Sequence, residues 1–165
     1  MTRVAVLAAA LFSLAFGLSS GRAGQRQQDY ADPMAAAFEA LLKESRSSLQ
    51  ADIYCVATVP YGEMHGQRSD PSTALVTRLS AAHTNLRPSS KCVRRENKPV
   101  ERFLEDSTGK QLMFVMLSCS HRVEGDTLVF QGSYHCGGRC GAGGTVRAWR
   151  AAGAWQARFV LEWIS

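Results

Sequence analysis

The side chains with the most chemistry in this chain are five cysteines and their histidine neighbours. Cys119, His121, His135, Cys136 and Cys140 fall close together, and thiolates and imidazoles at short spacing are what Zn²⁺ or copper takes as ligands. Whether they can meet depends on strand register. Gly125-Asp126 reads as a two-residue hairpin loop, in which case Cys119 faces Gly132 and Cys136 faces Val115. Cys119 and Cys136 then lie about 13 Å apart along the strands at roughly 3.3 Å per residue, too far for a shared metal ion or a disulfide. His135 and Cys136 are neighbours on a strand and point to opposite faces. Neither a metal shell nor a thiolate–imidazole nucleophile pair is therefore expected, and no cofactor is implied.

The remaining use for the cysteines is cross-linking, and the N-terminus supports it. Arg3 is a short basic start, Val4 to Leu18 is apolar, and Ser19 to Ala23 is small-residue-rich, with Gly21 and Ala23 at the positions a signal peptidase reads. Residues 1–23 are expected to be a cleaved signal peptide, the apolar run of roughly 15 residues being shorter than the roughly 20 of a membrane span. No transmembrane segment is expected in the mature chain, and the location is expected to be periplasmic or secreted. Disulfides persist there. A Cys136–Cys140 bridge follows from proximity, with Cys55–Cys92 as its companion and Cys119 unpaired, although spacing alone leaves connectivity open.

Removing Arg3 and Arg22 with the signal lowers the formal charge from +5 by two, to +3. That excess is too small to imply nucleic acid. Arg87, Lys91, Arg94, Arg95 and Lys98 form the most basic group, but no aromatic residue is interleaved to stack on bases, so a solvated face is expected. With 165 residues, 45% hydrophobic and 20% charged, the chain reads as a polar, flexible stretch at 24–31 and one globular domain at 32–165.

The elements that must position these residues divide into helices first and strands after. Asp32 is an N-cap, Pro33 sits at the first helical position, and Met34, Phe38, Leu41, Leu42 and Leu49 share a face. Asp70 and Pro71 repeat that signature before Ala74, Leu75, Leu79 and Ala82. Between the helices, Ala51 to Val59 reads as a strand. From Gln111 onward the period falls to 2: Gln111–His121, Thr127–Cys136, Thr145–Arg150 and Trp155–Ile164 read as strands at hairpin spacing. Trp155, Ala157, Phe159, Leu161 and Trp163 form one apolar face of the last. The expected fold is α+β, with N-terminal helices packed on a curved antiparallel sheet that ends in a four-stranded meander.

The stretch from Gly132 to Gly144, the Ala152-Gly153-Ala154-Trp155 turn, the ending Leu161-Glu162-Trp163-Ile164-Ser165, and upstream the segments Leu86 to Cys92 and Thr108-Gly109-Lys110 carry a likeness. Over residues 86–165 the chain resembles uncharacterised secreted bacterial proteins of the cystatin-like or nuclear-transport-factor-like group. That resemblance implies a curved sheet wrapping one long helix and transfers no catalytic residue. The cysteine pair in the Gly-rich loop departs from the group's pattern.

Enzyme signatures are sparse. Thr108-Gly109-Lys110 lacks the upstream glycine of a phosphate loop, and neither a Gly-x-Ser-x-Gly elbow nor a His-Glu-x-x-His pair occurs. His65 and His83 read as isolated surface residues. An isomerase or hydrolase in the sheet's concavity would need an inward carboxylate, and Glu162, the one acidic residue well inside a predicted strand, alternates outward. The expected function is a non-catalytic binding module for a small ligand or a protein, the alternative being a small periplasmic enzyme. Tyr134, His135, Arg139 and Arg147, around the glycine-rich hairpin, are the expected contacts, since aromatic area and guanidinium donors anchor interfaces.

Overall fold

The computed structural model describes residues 32–64, 66–93, 104–138 and 140–165. The expected signal peptide 1–23, the stretch 24–31, and His65, Arg94, Arg95, Lys98 and Arg139 lie outside the described residues.

Helix α1 (Pro33–Ser48) begins where its sequence signature places it. Asp32 Oδ1 accepts from the Ala35 N–H at 3.1 Å and Pro33 opens the first turn, satisfying one of the donors that a helix start leaves unpaired. Ala35, Phe38, Leu41, Leu42 and Ser45 form its buried side. The chain then turns into strand β1 (Ile53–Val59), with the Tyr54 hydroxyl donating to the Leu49 carbonyl and accepting from the Ala51 N–H, each at 3.3 Å.

β1, helix α2 (Thr73–Ala82) and β2 (Leu86–Pro88) form a β-α-β unit in which β1 and β2 run parallel. A helical crossover returns the chain in its starting direction. β1 also runs parallel to β4 (Gln111–Ser118), so the expectation of a wholly antiparallel sheet is corrected at this strand. Its apolar run fits the correction, because all seven residues are buried, as in strands covered on both faces.

A second correction concerns the start of α2. Its N-cap is Ser72, whose hydroxyl accepts from the Leu75 N–H at 3.3 Å. Asp70, the cap expected from the Asp-Pro pair, instead receives hydrogen bonds from Ser89 and Ser90. A contact distant in sequence has taken the carboxylate away from the local role.

The remaining strands are β3 (Leu104–Glu105), β5 (Arg122–Glu124), β6 (Thr127–Gly137), β7 (Cys140–Ala151) and β8 (Ala154–Ile164). All eight strands belong to one mostly antiparallel sheet. Its main order is β2-β1-β4-β6-β7-β8, with β3 beside β4 and β5 beside β6. The largest core cluster joins Phe38, Leu41 and Leu42 of α1 and Leu75 and Leu79 of α2 to alternate strand residues, among them Val56, Val115, Phe130 and Val146. The intervening residues Ile53, Cys55, Leu112 and Phe114 face the other way and form a second cluster with Leu104.

The hairpin register used above holds only near the turn. Arg122 faces Val129 and Glu124 faces Thr127 around Gly125, whose φ is +60°. Beyond Cys119 the pairing moves by two, so that Leu117, not Cys119, faces Gly132 and Phe114 faces His135. The predicted strand Gln111–His121 breaks at Ser118 for a visible reason. The Ser118 hydroxyl donates to the Ser120 carbonyl at 2.7 Å and accepts from the Gln131 N–H at 3.0 Å, replacing a backbone rung with a side chain. Cys119 is exposed and unpaired.

Most of the glycine-rich stretch is strand rather than loop: β6 runs to Gly137 and β7 starts at Cys140, five residues before the predicted Thr145. Its glycines admit close neighbours. A Cβ at Gly143 would overlap the Trp163 indole, and one at Gly144 would overlap the Val160 carbonyl oxygen. At that point β8 carries a bulge, with Gly144 facing Leu161 and Gly143 facing Trp163. The extra residue, Glu162, resets the alternation. Trp163 therefore does not continue the face of Trp155, Ala157 and Phe159, and those three alone pack on the main core. Val160, Leu161, Trp163 and Ile164 remain exposed.

Candidate functional site

Residues distant in sequence converge on the side of the sheet away from the main core. Thr58, near the end of β1, extends beyond the short partner β2 and forms an antiparallel bridge with Ser69 through reciprocal backbone bonds of 2.8 and 2.9 Å. The bridge fixes Arg68 and Asp70 on either side of Ser69. A 3₁₀ turn, Ser89–Lys91, follows β2 directly, and the next residue, Cys92, stands at disulfide distance from Cys55 with Cα atoms 6.1 Å apart.

These pieces enclose a cleft of about 550 Å³. Among the described residues, Ser89, Ser90 and Cys92 line it together with Arg68, Asp70, Leu104, Phe114 and His135. Leu104 and Phe114 are 6% exposed, whereas Arg68 and Asp70 reach solvent; the cleft thus has an apolar floor beneath charged groups. The volume suits a small organic molecule.

Each charge has its own support. The Arg68 guanidinium lies over the Phe114 ring, 4.5 Å from its centroid, a cation–π arrangement. Among the described residues it makes no hydrogen bond or ion pair. Asp70 Oδ1 accepts from the Ser89 hydroxyl at 3.0 Å and the Ser90 N–H at 2.9 Å, and Oδ2 accepts from the Ser90 hydroxyl at 2.5 Å. The Ser90 hydroxyl and N–H, aided by Ser89 and by Lys91, hold the Asp70 carboxyl below the usual carboxylate range, slight burial opposing them.

An acid-stability difference follows. Because the folded state lowers this pKa, the stabilisation is fully present above the ordinary value of 3.8 and disappears as pH falls through the folded one. Asp70→Ala is expected to destabilise the protein at pH 6 by less than about 1 kcal/mol, since the group is solvent-screened, with the gap narrowing as pH falls below 3.8. Urea midpoints of both proteins across that range test this; a gap independent of pH would contradict it.

The four residues expected to make contacts do not gather in one place. His135 lines the cleft, opposite Phe114 in the ladder. Tyr134, its neighbour, is buried on the other face, its hydroxyl donating to Ser48 Oγ at 3.0 Å and its ring inclined to Phe159. Arg147 faces Val129 far along β7 and donates to Glu124 Oε2 at 2.8 Å. Arg139 lies outside the described residues.

Cys136 and Cys140 also stand at disulfide distance, their Cα atoms 5.2 Å apart. They close the β6–β7 hairpin, where Gly137 pairs with Cys140. Among the described residues, no group of three His, Cys, Asp or Glu is placed to hold a metal ion, and no helix is long and apolar enough to cross a membrane.

Two other features had escaped sequence reasoning. His83, expected on the surface, has a side chain only 14% exposed, and its Nε2 lies 2.8 Å from Glu39 Oε2, tying the end of α2 to α1. A second cleft, about 540 Å³, runs between α1 and β8 past Lys43, Arg78 and Trp155. Its Glu39 is engaged by His83 and its Trp155 is covered by Arg150 at 5.2 Å, so it offers a ligand less than the first.

Comparison with protein-family models, with curated protein sequences and with solved structures finds no match to this chain.

Proposed function

We propose that the protein is an exported, non-catalytic binding module that takes a small ligand in the cleft opposite the helices. The observation that carries this reading is Arg68, a guanidinium over an aromatic floor whose donors no described residue engages. A preorganised donor set above apolar surface is how small-molecule sites obtain both orientation and affinity. Binding is favoured over catalysis because Asp70, the cleft's carboxylate, is held below the usual range, which makes it a weak base at neutral pH. Ser89 and Ser90 donate their hydroxyl protons to it, and a carboxylate of lowered basicity does little to activate a hydroxyl as a nucleophile.

Export is supported by two cysteine pairs at disulfide distance together with the three-part N-terminal pattern, since such pairs persist in oxidising compartments. The relation to the cystatin-like or nuclear-transport-factor-like group is part of the same proposal. It is supported by helices sharing a core cluster with one side of a sheet, β4, β6, β7 and β8 being read as the meander that curves around α1.

A thermal-shift screen against amino acids, dicarboxylates, sugars and phosphate esters tests the site, run in parallel on Ser89→Phe, which fills the cleft. A ligand is expected to raise the melting temperature of the unaltered protein and not of the variant. No stabilising ligand, or one that stabilises both equally, would refute the assignment.

A further inference from the structure

Arg68 and Asp70 line the same cleft from either side of Ser69, yet they form no ion pair with each other. Opposite charges two residues apart on an extended segment can neutralise one another; here Arg68 is held over Phe114, and Asp70 is held by three donors from Ser89 and Ser90. The result is a cation and an anion, each with its own support, lining one cleft above apolar surface. We propose that the cleft binds an amino-acid-type zwitterion, with its carboxylate on Arg68, its ammonium on Asp70 and its apolar part against Phe114 and Leu104.

This deepens the binding reading above and rests on it. The chemistry matches at both ends. A guanidinium presents paired N–H donors in the plane and spacing of a carboxylate. An ionised carboxylate offers about four acceptor positions; the serine donors occupy three, leaving capacity for an ammonium N–H, and their own hydroxyl oxygens accept as well. Asp70 is ionised at neutral pH, as partnership with an ammonium requires. A monocarboxylate satisfies only Arg68 and an amine only Asp70, so neither half-molecule gains both contacts.

Titration calorimetry with L-phenylalanine, L-phenylalanylglycine, 3-phenylpropionate and phenethylamine separates the cases. At least one of the two zwitterions is expected to bind ten-fold or more tightly than either half-molecule. Tighter binding of the amino acid identifies a free amino acid as the ligand class, and tighter binding of the dipeptide identifies a short peptide. Arg68→Met should erase the preference over phenethylamine, with Arg68→Lys restoring part of it, and Asp70→Asn should erase the preference over 3-phenylpropionate. If Asp70→Asn fails to fold, the analogue comparison in the unaltered protein and the Arg68 variants still decide. A half-molecule binding as tightly as the zwitterions overturns the proposal while leaving the cleft a binding site. Absence of binding by all four probes also overturns it, and only an empty wider screen would take the binding reading with it.

Discussion

Leu41→Ala should lower the unfolding free energy by about 3–4 kcal/mol, the cost of deleting buried methyl groups and leaving a cavity behind. Leu41 is fully buried in the main cluster, and its Cδ2 stands 3.1 Å from where a Cβ on Gly132 would be. The helix therefore meets the sheet at a glycine, which explains why β6 tolerates a residue that otherwise weakens a strand. Gly132→Ala should by itself cost about 1–3 kcal/mol through overpacking, because the new methyl would also lie 2.9 Å from Val146 Cγ2. The two changes should not add. With Leu41 shortened, the alanine methyl occupies part of the vacated space, and the double variant should be more stable than the sum of the single losses by about 1 kcal/mol, in the range seen for residues in contact. Chemical denaturation of the four proteins closes the cycle. Strict additivity would mean that Leu41 does not bear on Gly132.

Such contacts show why some elements were readable and others were not. Asp32-Pro33 announces α1 because both residues act within one turn of the helix they begin. The same dipeptide signal at Asp70-Pro71 misleads, because Ser89 and Ser90 approach from the far side of a β-α-β unit and claim the carboxylate. Parallel pairing of β1 was visible only as an unbroken apolar run; two-sided burial produces such a run, but the run does not say which strands cover it. The two-residue turn at Gly125-Asp126 was legible, whereas the side-chain rung at Ser118 and the bulge at Glu162 were not. Each depends on one bond or one extra residue, and each moves every side chain beyond it.

The cleft was the least legible feature. Arg68, Asp70, Ser89, Ser90, Phe114 and His135 come from four separate segments, and none matches a spacing rule. Of the expected contacts within the described residues, His135 alone lies there; the glycines of the hairpin expected to meet a partner let Trp163 and a strand backbone of the same chain approach β7. The one advance signal was the pairing of Cys55 with Cys92, which brings the segment bearing Ser89 and Ser90 against β1.

That pairing sets the second large effect. Replacing Cys55 and Cys92 together by alanine should cost about 4 kcal/mol on the chain-entropy relation for a closed loop of this size, the two residues being separated by 37 positions. Cys136 and Cys140 are separated by only 4, and the same relation gives about 2 kcal/mol for their removal. The longer loop also has structural consequences. Cys92 N–H donates to the Ser89 carbonyl at 3.0 Å, closing the 3₁₀ turn, and Ser89 and Ser90 of that turn hold Asp70. Freeing Cys92 should therefore loosen the carboxylate's support as well as the chain, so that the Cys55/Cys92 variant loses ligand-induced stabilisation while the Cys136/Cys140 variant keeps it. Non-reducing peptide mapping establishes the two bridges in the starting protein, and urea unfolding of each double variant measures the cost. Equal costs for the two, or a Cys55/Cys92 variant that retains full ligand response, would show that the cleft wall is held by the 3₁₀ turn and its serines without the cross-link.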